Sequence, residues 1–175
     1  MKILEDNWKK IYEEYLNISD RKFEITKNNL GNFLYPNLVE GKYYNVGLYM
    51  DNALNKYLPK VLKDKLDGVM ELGNDCPFTK NLIETEIPNY ISASFATLGP
   101  RSSLKQHFHE PRSDRIHLGL KVPKGDLGLM VRIDEIDVKK CYWEEGKTFT
   151  FDTGRYHQAW NNTNEERVIL MVDIY

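Results

Sequence analysis

Near the start of the chain Ile3, Leu4, Trp8, Ile11, Tyr12, Tyr15 and Leu16 recur at helical spacing with Glu and Lys between them. The pattern predicts an amphipathic helix over 3–17, with one apolar stripe to bury. Residues 28–47 are rich in Asn, Gly and Tyr and read as loop with short extended pieces. A helical period returns over 48–66 through Leu48, Leu54, Tyr57, Leu58, Val61, Leu62 and Leu66, kinked or divided at Pro59. Cys76-Pro77-Phe78-Thr79 opens a further short helix with Pro77 in its first turn, and Pro88 ends it.

From Tyr90 the texture changes. Extended segments are expected at 90–98, 103–108, 114–122, 127–133, 147–151, 155–161 and 166–174, each bounded by Gly, Pro, Asp or Asn. Short strands at near-regular spacing point to a jelly roll or barrel. The chain reads as one domain over 1–175, with a helical portion over about 1–88 that buttresses a β-rich portion over about 89–175.

Composition narrows the function without naming it. With 24 basic and 26 acidic residues the net charge is −2, which gives no general surface for nucleic acid or anionic membrane. Cys76 and Cys141 are too few for a disulfide framework and lack metal-motif spacing, so free thiols are expected, with a single bridge as the alternative. The N-terminus lacks an apolar leader core, and no apolar run reaches about 18 residues. A cytoplasmic protein is expected.

The chemistry gathers around four histidines, His107, His109, His117 and His157, all in the β-rich portion. His107 and His109 stand at i and i+2 in a strand-like run, so both leave one face. Alone, the pair fits a solvated strand beside Glu110 and Arg112 equally well. His157 changes that balance, since it sits in a second strand entered through the turn Asp152-Thr153-Gly154. Two histidines from separate barrel strands, with a third group near the first, make an open non-haem Fe(II) site.

Several blocks in register carry a resemblance. They are Cys76-Pro77-Phe78-Thr79, Leu104-Lys105-Gln106-His107, Arg115-Ile116-His117-Leu118-Gly119-Leu120 and Trp143-Glu144-Glu145-Gly146-Lys147. Phe151-Asp152, His157 with Trp160-Asn161, and Arg167 before a closing strand with Asp173 complete the series. From about Cys76 to Tyr175 the chain resembles the aspartyl/asparaginyl β-hydroxylase family of Fe(II)/2-oxoglutarate dioxygenases. The resemblance implies a double-stranded β-helix, the cupin-like jelly roll, with supporting N-terminal helices. It implies His107 and His157 as iron ligands and Arg167 as partner of the far carboxylate of 2-oxoglutarate. Arg115 and His117 would add donors for the cosubstrate. The implied reaction is hydroxylation of an amino acid, peptide or small metabolite by O2, with Fe(II) as cofactor and 2-oxoglutarate as cosubstrate.

This sequence departs from the pattern at three positions. His109 occupies the place where many 2-oxoglutarate enzymes carry a carboxylate and this family's animal members carry glycine. Either it ligates, giving a three-histidine metal site, or it points away. Ala96 falls where a cosubstrate-facing serine is common, with Ser94 and Thr97 nearby. Ser113 replaces an arginine associated with acidic substrates, which argues against an Asp-type substrate. Trp143 and Trp160 are expected to pack the barrel, and Asp152 to shape the turn before His157. Two other readings stay open: a three-histidine cupin-type dioxygenase without 2-oxoglutarate, and a non-catalytic metabolite-binding barrel.

Overall fold

The computed structural model describes residues 1–24, 38–50 and 72–175. Among these residues two α-helices, α1 (Lys2–Ile18) and α2 (Pro77–Glu86), accompany eleven strands. Short strands β1 (Phe23–Glu24) and β2 (Val39–Glu40) precede β3 (Tyr43–Met50). Then follow β4 (Tyr90–Leu98), β5 (Ser102–His107), β6 (Asp114–Lys121) and β7 (Leu127–Arg132). The last are β8 (Val138–Cys141), β9 (Thr148–Asp152), β10 (His157–Asn161) and β11 (Arg167–Ile174). One sheet runs β1-β3-β4-β11-β6-β9 and the other β2-β5-β10-β7-β8, with antiparallel pairing between the strands of each. The architecture is the mainly β, two-sheet jelly roll expected, carried with an N-terminal helix.

Alternation along the strands divides the larger sheet into two faces. On β6, Ile116, Leu118 and Leu120 join one core cluster with Val168, Leu170 and Val172 of β11 and Leu4, Ile11, Tyr15 and Ile18 of α1. The intervening Arg115 and His117, like Arg167, Ile169 and Met171 of β11, face a cavity on the other side. A second cluster fills the space toward the smaller sheet, with Ala96, Leu98 and Ile169 meeting Leu127, Leu129, Val131 and Ala159. Burial of each of the large α1 side chains contributes about 1.5–3 kcal/mol, which is why so polar a helix stays docked.

Polar contacts set the helix positions. Glu5 of α1 accepts from the backbone N–H and hydroxyl of Thr148 at 2.9 and 2.8 Å, tying the helix to β9. Glu14 accepts from the backbone N–H groups of Phe78 and Thr79, both at 2.8 Å, and so caps α2 from outside. Its carboxylate meets the unpaired N–H groups and positive end of that helix.

Two expectations are corrected. Leu48, read as the start of a helical period, lies in β3 and is buried against the α1 side of the sheet. Residues 51–66 of that reading, and 28–37 of the loop before it, lie outside the described residues. Secondly, β5 ends at His107, so His109 is beyond the strand, held by its backbone N–H on the Thr153 carbonyl at 2.9 Å. Strand β8, at 138–141, lies in an exposed polar run with no alternation to read. Both cysteines are free and buried. Among the described residues no helix is long and apolar enough to cross a membrane.

Candidate metal and cosubstrate site

His107 and His157 are direct cross-strand partners on β5 and β10, with ring centroids 4.2 Å apart. Their inward aim depends on a bulge. Strand β5 advances from Leu104 to His107 where β10 advances only from Ala159 to His157. Simple alternation would put Leu104 and His107 on opposite faces, yet both line the cavity, because the extra residue restores the phase.

His109 completes a triad in which one ligand atom from each ring lies within 4.8 Å of the others. The first two rings are fixed alike. His107 Nδ1 donates to the Lys105 carbonyl at 2.7 Å, and His157 Nδ1 to the Arg155 carbonyl at 2.8 Å. With Nδ1 protonated in each, the Nε2 lone pair is left for a metal. Burial lowers the pKa of His107, carries that of His157 down to about 4 and that of His109 to about 2. Neighbouring charges add to the effect, with His107 acting on His157 and Arg115 on His109. All three imidazoles are therefore neutral at pH 7, the state metal binding needs.

The opposite wall is cationic and buried. Arg167 is 2% exposed and lies over the Trp143 ring at 4.4 Å. Burial lowers its pKa to about 10, against a raising influence of Tyr43, and it remains charged. The Trp143 indole N–H donates to His117 Nδ1 at 3.2 Å. Neutral His117 therefore carries its hydrogen on Nε2; burial, then Arg115 and Arg167, keep it well below its ordinary pKa. Among the described residues two buried side-chain nitrogens lack a partner, His117 Nε2 and Arg167 Nε. Both residues line the cavity that the three histidines face. A pair of unmet buried N–H donors is costly unless a ligand accepts from them.

Arg115 lines the same cavity, held by Asp173 through Nε at 2.6 Å and a terminal nitrogen at 2.9 Å. The two are cross-strand partners on β6 and β11. Tyr43, buried and with its pKa raised by that burial, also lines the cavity. It falls in the stretch read as loop, and no motif marked it. Thr97 faces away, its hydroxyl paired with the Tyr15 hydroxyl at 2.8 Å, and Ser94 accepts from Asn45 at 3.2 Å. Trp143 does pack the barrel as expected, but it also supports both Arg167 and His117. Trp160 donates to Asp126 at 2.7 Å. Asp152 accepts from the Gly154 N–H at 2.9 Å, which is the turn role expected of it.

At the mouth, Phe108 and Tyr156 meet edge to face with centroids 5.0 Å apart, both side chains exposed. With Glu110, Arg112 and Gly154 they form a groove that shares His109 with the inner cavity.

Residues 5–175 match the family model described as aspartyl/asparaginyl β-hydroxylase. The chain belongs to that family. Membership in this hydroxylase family thus extends through α1, well before the blocks that carry the resemblance in sequence. The ornithine lipid ester-linked acyl 2-hydroxylase of Rhizobium tropici is 38% identical over 100 residues, covering 56% of this chain and 34% of that protein. The human aspartyl/asparaginyl β-hydroxylase is 38% identical over 61 residues, 35% of this chain and 7% of that protein. This β-hydroxylase family member therefore spans about a third or less of these relatives. A prolyl-4-hydroxylase from Pseudomonas putida shares the fold, with a TM-score of 0.56 at 12% identity over 97% of this chain and 86% of that one.

Proposed function

We propose that this chain is an Fe(II)/2-oxoglutarate-dependent dioxygenase that hydroxylates a C–H bond of an amino acid, peptide or small metabolite. The observation that carries the reading is one cavity with three imidazoles on one wall and two unmet N–H donors on the other. That donor set suits a divalent iron at one end and a carboxylate at the other. His107 and His157 would hold the metal, with His109 in reach as the third imidazole. Bound iron with 2-oxoglutarate supplies O2 activation, coupled to decarboxylation of the cosubstrate to succinate.

The chain's own residues do the positioning. Arg167 and His117 receive the cosubstrate's carboxylates, and Arg115 adds positive charge to that wall. Tyr43 brings a hydroxyl to the cavity where Ala96 has none. Leu129, Ile169 and Phe151 keep water from the reacting atoms. Phe108 and Tyr156 flank the route by which a substrate meets the metal. A cytoplasmic setting belongs to the same reading, supported by the two free thiols.

The test is succinate formation by anaerobically Fe(II)-loaded protein on adding 2-oxoglutarate and O2. The substrate panel should include amino acids, peptides and acylated amino acids, the last because of the Rhizobium relative's name. No 2-oxoglutarate-dependent succinate with any of them would sink the proposal. The histidine triad also favours a second reading, a three-histidine cupin-type dioxygenase needing no cosubstrate, which predicts O2 uptake indifferent to 2-oxoglutarate. A non-catalytic barrel predicts 2-oxoglutarate binding without turnover.

A further inference from the structure

The third imidazole differs from the other two in what it touches. Arg115 donates through a terminal nitrogen to His109 Nε2 at 3.4 Å, and the same guanidinium is forked onto both oxygens of Asp173. Asp173 is anchored in turn by the Ser92 hydroxyl at 2.8 Å. Asp173 and Arg115 are opposite one another in the β11–β6 register, so the guanidinium is placed by the sheet itself.

A guanidinium donates and never accepts. The His109 nitrogen facing it must therefore be the acceptor, which places the hydrogen on Nδ1. Suppose His109 bound a metal through Nε2. Its one lone pair there would be taken from Arg115. Suppose instead that it bound through Nδ1. The neutral ring would then carry its hydrogen on Nε2, pointed at an N–H of Arg115, donor against donor. Either way the Arg115 contact and ligation by His109 exclude each other. The contact is long, and its weight lies in that exclusion rather than in its strength. No such conflict touches His107 or His157, whose Nδ1 atoms donate to backbone carbonyls.

We infer that Arg115, locked by Asp173, is a positioning residue that withholds His109 from the metal. The protein then presents a two-histidine site with a third imidazole in reserve, and one more metal position is left to small ligands. The inference rests on His107 and His157 binding a divalent metal. It also gives Arg115 a second task beside its place on the cosubstrate wall with Arg167 and His117.

The experiment uses Co(II) alone on the whole protein, read by X-ray absorption fine structure and by titration. Wild type should show two imidazole nitrogens, and His109→Ala should change the Co(II) Kd by no more than about twofold. In Arg115→Met, and in Arg115→Met/Asp173→Asn, which removes both charges together and so spares the fold an unpaired carboxylate, the count should rise to three. In that double variant His109→Ala should now weaken Co(II) by about tenfold or more. Three imidazoles in wild type would overturn the inference, and so would two in every folded Arg115 variant. His107→Ala and His157→Ala test the underlying reading separately. If they bind Co(II) as wild type does, the metal assignment fails, whatever His109 does.

Discussion

The Trp143 indole N–H donates to His117 Nδ1, and that bond decides which edge of the imidazole meets the cavity as a donor. The same indole lies under the Arg167 guanidinium. One side chain thus orients both unmet donors. Trp143→Phe keeps an aromatic platform for Arg167 but frees the His117 tautomer. The expected outcome is a KM for 2-oxoglutarate raised about tenfold, as for loss of one good hydrogen bond. Co(II) affinity should stay within about twofold of wild type. Titrations of metal and cosubstrate on the same preparation check it.

Arg167 is a buried cation that makes no ion pair among the described residues. Removing such a charge relieves a desolvation cost, so Arg167→Met should leave the ligand-free Tm unchanged or higher. On the proposed function 2-oxoglutarate should raise the wild-type Tm by binding the folded state, and this variant should lose that shift. A Tm that falls by several degrees without ligand would contradict the picture of an uncompensated charge awaiting an anion.

The site histidines make stability depend on pH in one direction. Their folded pKa values lie below the ordinary 6.5, with His157 at about 4 and His109 at about 2, burial being the largest cause. Below pH 6.5 the unfolded chain takes up protons that the fold refuses, so stability falls as pH drops toward 4. Above about pH 7 these groups contribute no slope. Metal-free protein melted across pH 4–8 should show this, and His157→Gln should flatten the acid limb.

Asn161 is fully buried and its amide donates to the carbonyls of Leu98, Gly99 and Glu165 at 3.1, 2.9 and 2.8 Å. It locks the turn that carries the chain from His157 on β10 to Arg167 on β11. Asn161→Ala leaves buried carbonyls unmet and should cost about 1–3 kcal/mol of stability. Cosubstrate affinity should fall with it, because Arg167 opens the next strand. Urea unfolding of the ligand-free protein is the direct measurement.

Much of this was legible in the residues alone. Alternation with Gly, Pro, Asp and Asn boundaries located every strand expected between 90 and 174, within a residue or two. Helix α1 was equally clear, since its apolar spacing is local and uninterrupted. The blocks around His107, Arg115, His117, His157 and Arg167 pointed to a family, and the chain belongs to it. These signals survive in sequence because period, turn chemistry and motif spacing are properties of neighbouring residues.

What the tertiary structure decided is register and contact across distance. The run at Leu48 became β3 because pairing with β4 outweighs a weak helical period. The β5 bulge that turns His107 inward has no local mark, since it exists only relative to β10. Tyr43 enters the site from a stretch with no motif. Sequence left His109 between ligand and bystander. Only the fold brings Arg115 against its ring, because that meeting depends on how β6 lies beside β11 and where the chain turns after β5. A sequence lists the donors and acceptors; which lone pair is already taken is settled by what lies next to it in space.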